Sequence, residues 1–182
     1  MIIKLNEAKQ LLQISQTDKS KDDIIEALIK PVQDFIINYC NNFFEKNDVW
    51  ISGDYEFVAN DKTVLCPDET FEDVVFARGM DILIEGSLNN DNIYEIKAIE
   101  SGKITLKLND DEPIYNEDGY FTITRVIFPK ALKRTAAKLI SFDMNKKISE
   151  GLTSESIGDY SANFGSDYPE SLLKELNIFR KI

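Results

Sequence analysis

The sequence predicts an α+β fold: a core of about four helices, into which a small antiparallel β barrel or sandwich is inserted. Three observations carry that reading. Apolar residues recur at helical spacing at both ends of the 182-residue chain, they alternate with polar ones from Val49 to Ile127, and turn-forming residues separate the alternating runs. The expected division is residues 1–45 and 128–182 for the helical core with a C-terminal docking segment, and 46–127 for the inserted β domain.

Asn6 is placed to cap a short first helix whose Ala8, Leu11 and Leu12 form one apolar edge. After the Ser15-Gln16-Thr17-Asp18 turn, Ser20 and Asp23 read as a capping box. Ile24, Ile25, Leu28, Ile29, Val32, Phe35, Ile36, Tyr39 and Cys40 then repeat at about 100° per residue, up to the Asn41-Asn42 pair. Pro31 interrupts this helix at a cost of about 3 kcal/mol, but the periodicity continues on both sides, so a kink is expected rather than a break.

The central strands are expected at Tyr55–Val58, Thr63–Cys66, Asp81–Glu85, Ile93–Ile99, Lys103–Leu108 and Tyr120–Ile127. Turns are expected at Ser52-Gly53-Asp54, Asn60-Asp61, Asn89 to Asn92, Ser101-Gly102 and Glu117-Asp118-Gly119. Trp50, at the entry to this region, is expected in the core. Helix returns at Phe128-Pro129, where proline suits the first turn, and Gly151 is placed to stop it. Ala131, Leu132, Thr135, Ala136, Leu139, Ile140, Phe142, Asp143 and Met144 line its inner side. A last helix starts at Pro169 and carries Leu172, Leu173, Leu176 and Phe179.

Between those two helices lies Gly151-Leu152-Thr153-Ser154-Glu155-Ser156-Ile157-Gly158-Asp159-Tyr160-Ser161. Three large apolar residues stand among glycines, hydroxyls and carboxylates, too few to form core alone. The segment either packs over its own helices or is ordered by another subunit. Gly158 permits a tight bend, and Ile157 and Tyr160 are the natural anchors.

The net charge is −11, unevenly spread. Glu45 to Arg125 holds nineteen acidic and seven basic residues, whereas Lys130 to Lys147 holds six basic residues and only Asp143. An acidic chain is repelled by phosphate and is a poor general nucleic-acid binder; its charge serves solubility, or a surface past which DNA slides without sticking. The lysines after Lys130 read as a solvated face that also suits the helix dipole, in preference to a phosphate patch. No apolar run reaches the length of a membrane span and the Met-Ile-Ile-Lys start lacks a signal-peptide pattern. Cys40 and Cys66 are too few and too far apart for a disulfide framework, so the chain reads as intracellular.

Catalysis is not expected. There is no histidine, no phosphate-binding loop and no dinucleotide fingerprint. Asp110-Asp111-Glu112 reads as a solvated turn rather than a cation site, and Asp159 as a turn-capping carboxylate rather than an acid or base. No cofactor and no metal are expected.

Three stretches carry a resemblance. They are Leu5-Asn6-Glu7-Ala8-Lys9 through Asp22-Asp23-Ile24-Ile25 to Tyr39; Phe128-Pro129 through Ala136-Ala137-Lys138-Leu139-Ile140; and Thr153-Ser154-Glu155-Ser156-Ile157-Gly158-Asp159-Tyr160-Ser161, followed by Tyr168-Pro169, Leu172-Leu173, Leu176 and Arg180. In these the chain resembles the head–tail connector (adaptor, or head-completion) proteins of long-tailed bacteriophages and defective prophages. The smaller members of that family are nearly all helical, and the resemblance says nothing about the β region.

The resemblance implies a structural virion protein at the neck: a homo-oligomeric ring, typically of twelve copies, beneath the portal protein. It would extend the channel for double-stranded DNA without binding it specifically, and offer a platform to tail-side neck proteins, after assembly in the host cytoplasm and with no membrane partner. The implied subunit or portal interface comprises Leu152, Thr153, Glu155, Ile157, Gly158, Asp159, Tyr160, Ser161 and Phe164, with Phe179, Arg180 and Ile182 in the tail. One rival is another neck or tail-completion protein, which would bind the tail tube. A second is an OB-like nucleic-acid-binding module; it wants exposed aromatics among basic residues, and here Tyr94, Tyr115, Tyr120 and Phe121 lie among Asp and Glu.

Overall fold

Six strands close into an antiparallel barrel in a computed structural model, which describes residues 1–66, 76–108, 113–148, 154–157, 160–163 and 168–181. They are β1 (Glu45–Val58), β2 (Thr63–Leu65), β3 (Asp81–Glu85), β4 (Asn92–Glu100), β5 (Lys103–Lys107) and β6 (Glu117–Val126). The order around the barrel is β1-β2-β5-β4-β3-β6, with β6 back on β1, so no strand of the barrel is left with an open edge. By contacts the chain divides into two units: Phe43–Ile127 with Met1, which contains the barrel, and Ile2–Asn42 with Phe128–Ile182, which is mainly helical.

Alternation fills the barrel. Tyr55 and Phe57 of β1, Val64 of β2, Ile82 and Ile84 of β3, Tyr94 and Ile96 of β4, Ile104 and Leu106 of β5, and Phe121 and Ile123 of β6 form one buried cluster. The Phe121 ring lies 5.2 Å from that of Tyr55 and 5.1 Å from that of Phe57. The same parity corrects the expectation for Trp50. With Tyr55 and Phe57 inward, position 50 falls on the outer face, and Trp50 is 58% exposed. A register shift between Lys46 and Trp50 precedes it.

Two expected turns are strand instead. Ser52-Gly53-Asp54 pairs with Thr122, Phe121 and Tyr120, and Glu117-Asp118-Gly119 pairs with Phe57, Glu56 and Tyr55. Gly53 is small for packing rather than for turning: a Cβ there would stand 3.2 Å from the Tyr55 hydroxyl. Ser101-Gly102 does turn, joining Glu100 to Lys103 with Gly102 at φ +68°. Asn60-Asp61 and residues 89–91 also lie between strands, and Asn92 opens β4.

In the helical unit, α1 (Leu5–Leu11) starts two residues earlier than Asn6 would cap it. Its N-cap is Lys4, whose backbone N–H donates to Glu7 Oε2 at 3.1 Å. α2 (Asp22–Cys40) runs through Pro31 without interruption and ends on Asn41, which is left-handed at φ 46°. Ser20 forms no capping box; its hydroxyl and backbone N–H both donate to Asp18 Oδ1. Of the expected apolar face, Ile25, Leu28, Ile29, Val32, Ile36 and Cys40 are buried, whereas Ile24 is exposed. α3 (Lys130–Ile148) buries Leu132, Thr135, Ala136, Leu139, Ile140 and Met144 as expected, and Ala137 as well, while Ala131 is exposed. α4 (Glu170–Leu176) has Pro169 at its N-cap and passes into a 3-10 turn at Asn177–Phe179. The expected helix stop at Gly151 lies outside the described residues.

Candidate functional site

Half of the polar segment after α3 is a β-hairpin. Strands β7 (Ser154–Ile157) and β8 (Tyr160–Asn163) pair antiparallel, with Ser154 opposite Asn163, Glu155 opposite Ala162, Ser156 opposite Ser161 and Ile157 opposite Tyr160. The two expected anchors therefore sit side by side as the pair next to the loop. Alternation places positions 155, 157, 160 and 162 on one face and positions 154, 156, 161 and 163 on the other. Leu152, Thr153, Gly158, Asp159 and Phe164 of the expected interface lie outside the described residues. The hairpin is a two-stranded sheet by itself: among the described residues, neither outer edge pairs with another strand.

A signal for this hairpin was present in the sequence. Ile157 and Tyr160 flank a Gly-Asp pair, and two apolar-ended runs separated by two such residues are the usual mark of a tight hairpin. The surrounding serines hid it, because their low apolar content gives almost no period-2 contrast.

The tail residues are held by their own unit. Lys181 N–H donates to Cys40 C=O at 2.9 Å, and Asn42 Nδ2 donates to Phe179 C=O at 2.9 Å. The Arg180 guanidinium lies 5.5 Å from the Tyr39 ring centroid. Ile182 lies outside the described residues. In the same unit, the Tyr168 ring packs tilted against Phe35, centroids 4.6 Å apart, and Phe142, 5.5 Å apart, and its hydroxyl donates to Asp143 Oδ2 at 2.6 Å. Burial, and then this hydrogen bond to a carboxylate, push the Tyr168 phenol well above its ordinary range. Burial also raises the Cys40 thiol, whose Sγ faces Leu176 C=O at 3.6 Å.

The lysines of α3 are partly consumed within the unit. Lys133 Nζ meets Glu7 Oε1 at 2.5 Å, and Lys138 pairs with Glu175, which also accepts from Thr135 Oγ1 at 3.0 Å. These partners tie α3 to α1 and to α4. The Lys138 hydrogen bond holds the Glu175 carboxyl below its usual range. At Glu7 burial acts upward, but Lys133 and the Lys4 N–H outweigh it and the pKa is lowered. Sequence reasoning missed Lys9, which is 1% exposed. Its ammonium donates to Asp18 C=O at 2.5 Å, Asp22 Oδ1 at 2.6 Å and Gln16 C=O at 3.4 Å, fastening the α1–α2 turn. That hydrogen bond lowers the Asp22 carboxyl. A lysine inside an apolar helix face gives no sequence cue to such a cage.

The barrel exterior is acidic. Glu56 and Asp118, both exposed, are directly opposed across β1 and β6, an arrangement that ordinarily costs some stability. Of the aromatics weighed for nucleic-acid stacking, Tyr94 and Phe121 are buried, while Tyr115 and Tyr120 are exposed, as is Trp50. Among the described residues no group of three or more His, Cys, Asp or Glu is placed to hold a metal ion, and no helix is long and apolar enough to cross a membrane. Asp110-Asp111-Glu112 lies outside the described residues.

Residues 2–64 match the family model of phage gp6-like head-tail connector proteins, which shows the resemblance to head–tail connector proteins. The match covers about a third of the chain. It contains the first of the three resembling stretches and continues through β1 into β2, where the sequence alone suggested no likeness; it does not reach the other two. No curated protein matches the chain. Among solved structures, a chain from the neck of an empty GTA particle, computed with C6 symmetry, is similar at 9% identity and a TM-score of 0.38, covering 100% of this chain and 90% of that one.

Proposed function

We propose that this chain is a head–tail connector: a structural, non-enzymatic protein that forms a ring of about twelve copies beneath a portal, prolongs the DNA channel and seats the tail-side neck proteins. The observation that carries the reading is the connector-family match over residues 2–64, which spans α1, the Lys9 cage, α2 and the entry to the barrel. The charge distribution supports it. The stretch from Glu45 to Arg125 holds nineteen acids against seven bases, and thus a net of −12, more than the whole net charge of the chain. A wall of that sign beside DNA repels phosphate and lets the duplex pass.

Affinity capture with purified portal and, separately, with a tail-terminator protein tests the reading, together with imaging of assembled necks. Portal capture and a ring of this chain at the head vertex are expected. Capture by the tail protein alone would make it a tail-completion protein instead, and its absence from assembled necks would end the connector reading.

A further inference from the structure

We infer that the β7–β8 hairpin is a half-finished sheet completed by neighbouring copies of this chain, the open edge of β8 in one copy pairing with the open edge of β7 in the next. The inference rests on the ring proposed above and names the surface that would join its subunits.

A hairpin of two four-residue strands is marginal in water, because among the described residues each strand keeps one row of backbone N–H and C=O groups without ladder partners. Natural sheets guard such edges with lysine, proline, a bulge or a covering element. The eight strand residues include no Lys, Arg or Pro, their register is continuous, and Glu155 is their only charge. The same chain closes every edge of its other sheet. An unguarded edge in so charged a protein is suited to pairing with another strand, where main-chain hydrogen bonds supply the affinity.

The occupant follows from the symmetry of the two edges. β7 and β8 are equal in length and run in opposite directions. Setting β8 of one copy beside β7 of the next continues the antiparallel alternation, with the Ser/Asn positions (154, 156, 161, 163) staying on one face and Ile157 and Tyr160 on the other. Each copy then uses each edge once, which is the head-to-tail contact that a ring repeats until it closes. A two-fold pairing, β7 on β7 or β8 on β8, would satisfy one edge and leave the other open.

Two full-length variants, Ser156→Cys and Ser161→Cys, test this in assembled necks, with a mild oxidant to form disulfides. The native Cys40 and Cys66 are buried. In necks built from an equal mixture, Ser161→Cys of one copy meets Ser156→Cys of the next within disulfide reach, and cross-linked dimers are expected. In necks built from either variant alone, equivalent positions lie about two strand spacings apart, roughly 9.5 Å, beyond that reach, and no dimer is expected. Dimers from a single variant would overturn the head-to-tail pairing in favour of a two-fold one. A ring visible in the same necks without any cross-link would overturn the inference and leave the connector reading standing. Necks that contain no ring of this chain would overturn the connector reading itself.

Discussion

The chain contains two β structures that solve the edge problem in opposite ways. The barrel uses six strands, closes β6 on β1, and fills its interior with Tyr55, Phe57, Phe121 and eight other residues of alternating strands. The hairpin uses two strands of four residues, places serine or asparagine at half of its positions, and among the described residues pairs neither outer edge. A sheet that carries its own core is stable alone, whereas one without a core has its pairing capacity left over for something else. In the proposed assembly the barrel is the scaffold and the hairpin the contact.

The largest effect that would sharpen this contrast lies in the barrel core. Phe121→Ala removes a ring packed against two others and is expected to destabilise the barrel by about 3–5 kcal/mol, measured by urea unfolding. A loss under about 1 kcal/mol would mean that the barrel does not depend on its interior. Deleting Leu152–Ser166 comes next. The shortened chain is expected to stay soluble with its unfolding midpoint unchanged, while assembly into necks is lost. Continued assembly would break the assignment of the hairpin as contact.

Acid acts on the helical unit. Asp22, Glu7 and Glu175 all have carboxyls held below their ordinary values in the folded state. Groups of that kind stabilise the fold above the unfolded carboxylate range, near pH 4, and the contribution fades as pH falls through their lowered folded values. Unfolding monitored from pH 7 to pH 2 should show this loss, and Asp22→Asn combined with Glu175→Gln should flatten it. A parallel acid profile in the variant would assign the loss to other groups. The smallest effect is at Trp50, the chain's single tryptophan. Trp50→Phe is expected to change stability by no more than about 0.5 kcal/mol. The fluorescence of the unaltered protein should be that of a water-exposed indole, and a blue-shifted emission would contradict its place on the outer face.

Most helix positions were legible because burial repeats with the helical period: α2, α3 and α4 fall where Ile25 to Cys40, Leu132 to Met144 and Leu172 to Leu176 placed them. The strand cores were legible for the same reason with a period of two. Gly53 and Gly119 read as turns and are strand: glycine at position 53 answers to the nearby Tyr55 hydroxyl, and at position 119, where a Cβ would meet nothing within 4 Å, the structure gives no reason for it. Trp50 was misjudged by its residue type, although its parity with Tyr55 pointed outward. The candidate interface was only half legible. Ile157 and Tyr160 were singled out as anchors, but their cross-strand pairing was not foreseen.

By itself the sequence determined the class of the helices and of most barrel strands, the concentration of acid between Glu45 and Arg125, and the resemblance to connector proteins, because periodicity, charge and motif are local properties of a chain. Tertiary structure alone decided that the middle strands close into a barrel in the order β1-β2-β5-β4-β3-β6, and that Lys9 is caged by two carbonyls and Asp22. It also decided that, among the described residues, neither outer edge of the β7–β8 hairpin pairs with another strand. Those are matters of which distant groups meet, and hydrogen-bond partners far apart in sequence leave no periodic trace in either strand or helix.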